Sequence, residues 1–506
     1  MSSVQHIIKN TGWLYAKMLV SMVCQFLATR LLLSGLGASD FGIYNIVGGA
    51  IGLFGFLNST MASTTQRFIN YSEGQGDKYR QKQVFNVGVI IHFCLAVLLA
   101  LILFVAGFWL FNGGLTIPEE RVGAALFVYG SLIVSTLFTV MTVPYESILN
   151  AHENMRYFSI VGMLDAMLKL AAAVACVYWF GDKLVIYGVF ISLISILLLV
   201  IMRVYCHKKY AECHIDIRQY FSKSLLKEML GFAGWNFLTA ISSLVTVNGL
   251  NIVVNHFFGV LLNAAQGVAH QLAGAMTSLS VNAQKAINPV IVKTEAAGNS
   301  DKVCYILLIT CRLGFFLTGL LILPLILMTD FVMDIWLKEV PEWAVLFCQL
   351  QCVRILLEQM TNGVGPAIYA TGNIKNYTIY KSIVNIMPLV IVPIAFHFGM
   401  APYWLYIIWI ICWNIFGTAT AIYFAHVLVG LSIKDYLQQV LQKCLIVVGI
   451  TVVPFFVLKS FNPTLIVTLV GIAVDIILFV VLGWFVIMNQ NERQLVHQMV
   501  TSKLKK

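Results

Sequence analysis

Apolar runs of about bilayer-spanning length, separated by short polar stretches, set the pattern of the whole chain. A membrane-spanning helix needs about 20 predominantly apolar residues. Fourteen segments qualify: 11–33, 41–66, 84–112, 122–148, 158–180, 184–206, 229–256, 262–288, 303–328, 343–370, 377–397, 402–429, 443–459 and 464–488. The longest stretch between them, about 207–228, is too short to fold alone. The expected fold class is all-α, an integral membrane protein of about 14 transmembrane helices. The N-terminal run MSSVQHIIKNTGWLYAKMLVSMVCQFLATRLLL has no short apolar region followed by a small-residue cleavage site, so it reads as the first retained span.

Composition sharpens this picture. Of 506 residues, 59% are hydrophobic and only 11% charged, whereas a soluble domain carries about 25% charged residues. The net charge of +10 reflects the loops rather than a nucleic-acid surface. Alternate loops hold twenty Lys and Arg: Lys9; Arg67, Lys78, Arg80 and Lys82; Arg156; Lys208, Lys209, Arg218, Lys223 and Lys227; Lys293 and Lys302; Lys375; Lys434 and Lys443; and Arg493, Lys503, Lys505 and Lys506. The other loops hold four, Arg121, Lys183, Lys338 and Lys459, beside Glu119, Glu120, Asp182, Asp330, Asp334, Glu339 and Glu342. The positive-inside rule then puts both termini in the cytoplasm. Eleven cysteines are scattered mostly through apolar segments. Cys206-His207 and Cys213-His214 flank a basic loop, but their spacing fits no usual zinc pattern, and no metal or cofactor is expected.

The chain also repeats itself. At a shift of 222 residues TGWLYAKML (11–19) meets AGWNFLTAI (233–241), and Gly37, Gly52, Glu73, Gly76 and Pro144 meet Gly259, Gly274, Glu295, Gly298 and Pro366. At a shift of 220, HENMRYFSI (152–160) meets GNIKNYTIY (372–380). Six spans separate the copies, so both halves have the same orientation, a parallel repeat. The expected organisation is a six-helix lobe over 1–210, a basic cytoplasmic loop at 211–228, a second six-helix lobe over 229–430, and two extra helices with a basic tail over 431–506.

The segment LGASDFGIYNIVGGAIGLFG (36–55) holds six glycines. Glycine disfavours a helix interior, yet small residues let helices in lipid pack closely. Phe41, Tyr44, Gly48, Gly52, Gly55, Ser59 and Ser63 share one helical face. Their repeat equivalents are Asn263, Gln266, His270, Gly274, Thr277, Val281 and Lys285, a mostly polar stripe. Close packing is the reading for the glycines, and a cavity between the lobes is the reading for the stripe. Span 7 is polar as well, with Asn236, Thr239, Ser242, Ser243, Thr246, Asn248, Asn251 and Asn255.

The run NTGWLYAKM…LLLSGLGASDFGIYNIVGG…QRFINYSEGQGD resembles the start of the Wzx-type bacterial oligosaccharide flippases, relatives of the multidrug extruders of the MATE family and of lipid II flippases. The resemblance extends to span number, the six-plus-six repeat and two extra C-terminal spans. It implies a V-shaped, two-lobed protein of the bacterial cytoplasmic (inner) membrane that alternates between inward-open and outward-open states. The implied cargo is a polyprenyl-diphosphate-linked glycan for O-antigen or capsule biosynthesis. A polysaccharide polymerase and a chain-length regulator are implied partners, together with membrane lipids.

Charges inside spans mark a pathway more often than a lipid contact. They include Lys17, Arg30, Glu146, Asp165, Lys169, Lys285, Arg312, Arg354, Glu358, Lys381 and Asp475. Asp165–Lys169 and Arg354–Glu358 are each four apart and pair along a helix. The cations of spans 1, 8 and 9 suit an anionic cargo, because lysine and arginine pair with phosphate oxygens. The cavity candidates are thus Lys17, Arg30, Asn263, Gln266, His270, Lys285 and Arg312. No Gly-Lys dipeptide occurs, so a Walker-type phosphate loop is absent. Coupling to H+ or Na+ then falls to Asp165 with Lys169, Glu146 or Glu358. The alternatives are an ion-coupled MATE-type drug exporter, which should show an unpaired carboxylate in its first lobe, and a membrane-embedded glycan-processing enzyme. The dispersed His92, His256, His270 and His426 argue against an enzyme.

Overall fold

The computed structural model describes residues 3–494 except 53–54, 115–116, 338–339, 461–464 and 491. Lys338, Glu339, Lys503, Lys505 and Lys506 lie outside the described residues, as does the side chain of Lys459. Among the described residues there are helices and no strands. Residues Ile8–Phe237 form one compact unit, and those from Leu238 onward form a second.

The N-terminal unit holds α1 (Ser3–Gly52), α2 (Gly55–Gly74), α3 (Lys78–Trp109), α4 (Val122–Ala151), α5 (Met155–Val177), α6 (Lys183–Lys209), the one-turn α7 (Ile217–Tyr220) and the start of α8 (Lys223–Phe258). Its core gathers Leu32, Val47, Val128, Leu132, Ala173, Tyr187 and Ile191. The 211–228 segment packs onto α3. Asn86 Nδ2 donates to the His214 carbonyl at 2.8 Å, its Oδ1 accepts from the Asp216 amide at 3.0 Å, and Arg80 pairs with Glu228 at 3.3 Å.

The C-terminal unit continues α8 and adds α9 (Val260–Ala296), α10 (Ser300–Leu327), α11 (Thr329–Trp336), α12 (Ala344–Gln359), α13 (Val364–Thr371), α14 (Lys375–His397), α15 (Trp404–Trp409), α16 (Gly417–Val429), α17 (Ile433–Tyr436), α18 (Gln442–Ser460) and α19 (Leu465–Leu482). A π-helical turn, Ile410–Phe416, joins α15 to α16. Leu250, Ala265, Ala269, Phe347, Val392, Tyr406 and Trp409 form the core. Helices α18 and α19 pack on α10, where Phe479 stacks on Phe316 with ring centres 5.5 Å apart. Beside it the buried Asp475 lines a cavity of about 10 Å³ with Gly319 and Thr451, and its Oδ2 has no hydrogen-bond partner among the described residues.

Among the described residues, ten helices are long and apolar enough to cross a membrane, against the fourteen segments expected. Segments 41–66 and 262–288 form helices that are more polar than the rest, and 343–370 breaks between α12 and α13. The segment 443–459 lies in α18, whose side chains beyond Thr451 are outside the described residues.

The repeat is visible in the backbone. Gly37 bends α1 at φ 78°, ψ 168°, and Gly259 separates α8 from α9 at φ 79°, ψ −173°. Only glycine adopts that region readily. Gly76 and Gly298 share φ values of 71° and 73°, and each is followed by an N-cap, Asp77 accepting from the Arg80 amide and Asn299 from the Lys302 amide. The copies differ where α4 runs through Pro144 while its counterpart breaks at 360–363 just before Pro366, and where α6 is continuous while its counterpart is divided by the π-helical turn.

The close packing expected of the glycines at 36–55 is not what they do. Nothing among the described residues comes within 4 Å of a Cβ built on Gly42, Gly49, Gly52 or Gly55, and at Gly48 only Leu132 does, at 3.8 Å.

Candidate functional site

In the C-terminal unit a polar chain runs through the core. His270 of α9 sits with its Nδ1 3.4 Å from Gln351 Nε2 on α12. Gln351 Oε1 accepts from Arg354 Nε at 2.7 Å, and Arg354 Nη1 donates to Glu358 at 3.2 Å. The Arg354 guanidinium lies over Trp409, and His270 meets the same ring edge-on. The i, i+3, i+4 spacing of 351, 354 and 358 puts all three on one face of α12. One turn before His270, Gln266 is buried, and neither end of its amide has a hydrogen-bond partner among the described residues. Asn263, a turn earlier, is half-buried with its Oδ1 likewise unmatched.

This chain ends at a cavity of about 160 Å³. Arg354 and Glu358 line it from α12, Thr361 and Asn362 from the break after α12, Lys381 from α14, and Trp413 and Asn414 from the π-helical turn. Both irregular stretches matter here, because a π-turn or a helix break frees polar groups to face a cavity. Lys381 Nζ lies only 3.1 Å from where a Cβ on Gly417 would stand, so the absence of a side chain there leaves room for the ammonium group.

In the N-terminal unit Lys17 reaches from α1 onto α5. Its ammonium lies 4.3 Å from the centre of the Phe158 ring. A Cβ on Gly162 would stand 2.2 Å from Lys17 Cε, so Gly162 opens the groove that holds this side chain. Residues 158, 162, 165 and 169 share one face of α5. Lys169 Nζ donates to Asp165 Oδ2 at 2.9 Å, leaving Asp165 Oδ1 without a hydrogen-bond partner among the described residues.

The remaining sequence candidates lie apart from these two groups. Arg30 is exposed on α1, Glu146 is half-buried on α4, and Lys285 is half-buried on α9. Arg312 is fully buried on α10, where it donates to Glu492 and to Gln439 Oε1. The structure thus brings together Gln266, His270 and Glu358 in one unit and Lys17, Asp165 and Lys169 in the other.

Two further clusters escaped the sequence reading. At one end of the N-terminal unit, Arg121 donates to Asp40 Oδ1 at 2.8 Å and to Asp182 Oδ2 at 2.7 Å, joining α1 to the starts of α4 and α6. These bonds hold the Asp182 carboxyl below its usual range. At the other end His152 bonds Glu212 through Nε2 and lies 3.3 Å from Glu73 through Nδ1, while stacking on Tyr210 at 4.2 Å. Burial alone pulls the His152 pKa down, but its hydrogen bonds to Glu212 and Glu73 outweigh that and lift it to about 9. Arg121 and Asp182 belong to loops that the charge alternation puts on the same side of the membrane. The separations, 81 and 61 residues for Arg121, carry no local signal in the sequence.

A family model described as "Polysaccharide biosynthesis protein" matches residues 7–295, more than half of the chain. No curated protein matches at a significant level. Among solved structures, a MATE crystallised in complex with MaL6 superposes with a TM-score of 0.70 at 17% identity, covering 85% of this chain and 99% of its own. An outward-facing multidrug resistance MATE transporter of the MOP superfamily gives 0.69 at 16% identity, covering 84% and 96%. A MOP superfamily transporter from Pyrococcus furiosus, described as having a binding pocket of reversed polarity, gives 0.68 at 17%, covering 84% and 97%. At these identities the likeness is one of fold.

Proposed function

The chain belongs to the polysaccharide biosynthesis protein family, and on that premise we propose that it is a flippase. It translocates polyprenyl-diphosphate-linked oligosaccharide repeat units from the cytoplasmic to the outer leaflet of a bacterial inner membrane, for O-antigen or capsule assembly. The observation that carries this reading is the family match together with the character of the intramembrane groups. Lys17 lies over the Phe158 ring, Arg354 and Lys381 line a polar cavity, and the first-unit carboxylate Asp165 is already matched by Lys169. Such sites favour an anionic headgroup over a cationic drug.

The cargo moves by alternating access while its polyprenyl tail stays in lipid. Lys17, Arg30, Asn263, Gln266, His270 and Lys285 contact headgroup and glycan, with Arg312 contributing if its ion pair opens. Asp165 with Lys169, Glu146 or Glu358 exchanges the coupling H+ or Na+. A polymerase and a chain-length regulator act on the delivered unit.

Mass spectrometry of lipids extracted from cells lacking the gene tests this. Accumulation of one complete polyprenyl-diphosphate repeat unit, cleared by complementation, supports the flippase. An unchanged lipid profile with new sensitivity to cationic dyes replaces it with the drug exporter.

A further inference from the structure

The cavity of the C-terminal unit carries an unbalanced charge. Arg354 and Lys381 are cationic and Glu358 is the acid among its lining residues. Glu358 is engaged by Arg354 at 3.2 Å. No carboxylate among the described residues lies within ion-pair distance of Lys381. A half-buried ammonium in a membrane-spanning helix is costly without a counter-charge. Glu358 is near enough to act on Lys381 through space but is shared with Arg354, so the lining holds two cations to one carboxylate.

The rest of the lining says what balances the second cation. Trp413 donates its indole N–H to the Asn385 carbonyl at 3.0 Å, so what it offers the cavity is its ring. Asn414 gives its amide N–H to the Arg354 carbonyl at 2.9 Å and keeps a buried Oδ1 with no donor among the described residues. Gln284, Thr361, Asn362 and Thr418 add amides and hydroxyls. An aromatic surface beside amides and hydroxyls suits a polyhydroxylated ring. The volume of about 160 Å³ is roughly ten times the ~10–15 Å³ that lodges one water, more than a halide fills.

We propose that this cavity binds an acidic sugar, a pyranose bearing one carboxylate, with Lys381 meeting the carboxylate and Trp413 the ring. That this sugar is part of the cargo rests on the flippase reading; the binding site does not.

The test uses the full-length protein in lipid nanodiscs, with methyl glucuronide, methyl glucoside and inorganic phosphate as probes in calorimetric titrations. The glucuronide binds at least about tenfold more tightly than the glucoside, a preference lost in K381Q and kept in K381R. W413F weakens both sugars without altering their ratio, and a wild-type-like elution profile and melting temperature establish that each variant is folded. Absence of glucuronide binding, equal binding of the two glycosides, or phosphate binding as tightly as the glucuronide each overturns the proposal. The last outcome leaves a simple anion site. The lipid extract separates the two readings: a neutral accumulated repeat unit removes the acidic sugar from the cargo and leaves the flippase, while no accumulation removes the flippase and leaves the binding result intact.

Discussion

The Arg354 guanidinium lies 5.2 Å from the centre of the Trp409 ring while its Nε donates to Gln351. A planar, forked cation makes both contacts at once, and lysine cannot. R354K keeps the charge and loses the link between His270 and the cavity. It is expected to slow flipping of lipid-linked glycan in proteoliposomes about tenfold, ~1.4 kcal/mol in barrier. Its expression and melting temperature should stay near wild type, and an unchanged rate would show that the chain of polar contacts is only structural.

His152 gives a prediction in pH. Its folded pKa of about 9 exceeds the ordinary 6.5. A raised pKa contributes stability that is complete below about pH 6.5 and is lost as pH rises through about 9. The contribution is at most ~3 kcal/mol, at about 1.4 kcal/mol for each tenfold gain in proton affinity, and solvent screening of the partly exposed cluster lowers it further. The melting-temperature gap between wild type and H152Q should therefore be widest near pH 6 and narrow above pH 9. A gap independent of pH would leave only the stacking on Tyr210.

Gly37 and Gly259 should respond alike to substitution. Alanine at either is strained by about 1–3 kcal/mol, because their φ values of 78° and 79° exclude a Cβ. G52A goes the other way, since the helical Gly52 has open space around it and alanine favours a helix by ~1 kcal/mol. Thermal unfolding of the three variants in one detergent makes the comparison.

Gly162 tests the place of Lys17. The Cβ of G162A collides with the flexible end of the lysine, which can swing away at small cost in stability. Transport should fall toward that of K17M while the melting temperature barely moves. Full transport in G162A would show that the groove on α5 is not where Lys17 acts.

Asp475 is buried against α10 with an unmatched oxygen, and D475L should raise stability by roughly 1–3 kcal/mol by removing a desolvated polar group. A lower melting temperature for D475L would reveal a partner for this carboxylate.

What the sequence revealed follows from the range over which each feature acts. Helices, the 222-residue repeat and the Asp165–Lys169 pair are written in local spacing, and the backbone repeats its turns at Gly37 and Gly259. Features made by distant residues left no such mark. Arg312 looks like an isolated intramembrane cation until the fold brings Glu492 to it from 180 residues away. Lys381 is one charge among several in the sequence. Its significance comes from the π-helical turn and the break at 360–363, which no residue pattern announced. Small residues in lipid usually mark close packing, yet the space beside most of the glycines at 36–55 is open among the described residues.

The Arg121 and His152 clusters fasten the N-terminal unit at its two ends, each tying together three separate stretches of the chain. A bundle riveted top and bottom behaves as a lever, passing displacement from one end to the other with little loss. Gly49, Gly52 and Gly55 stand outside both fastenings, each with open space among the described residues where a Cβ would stand.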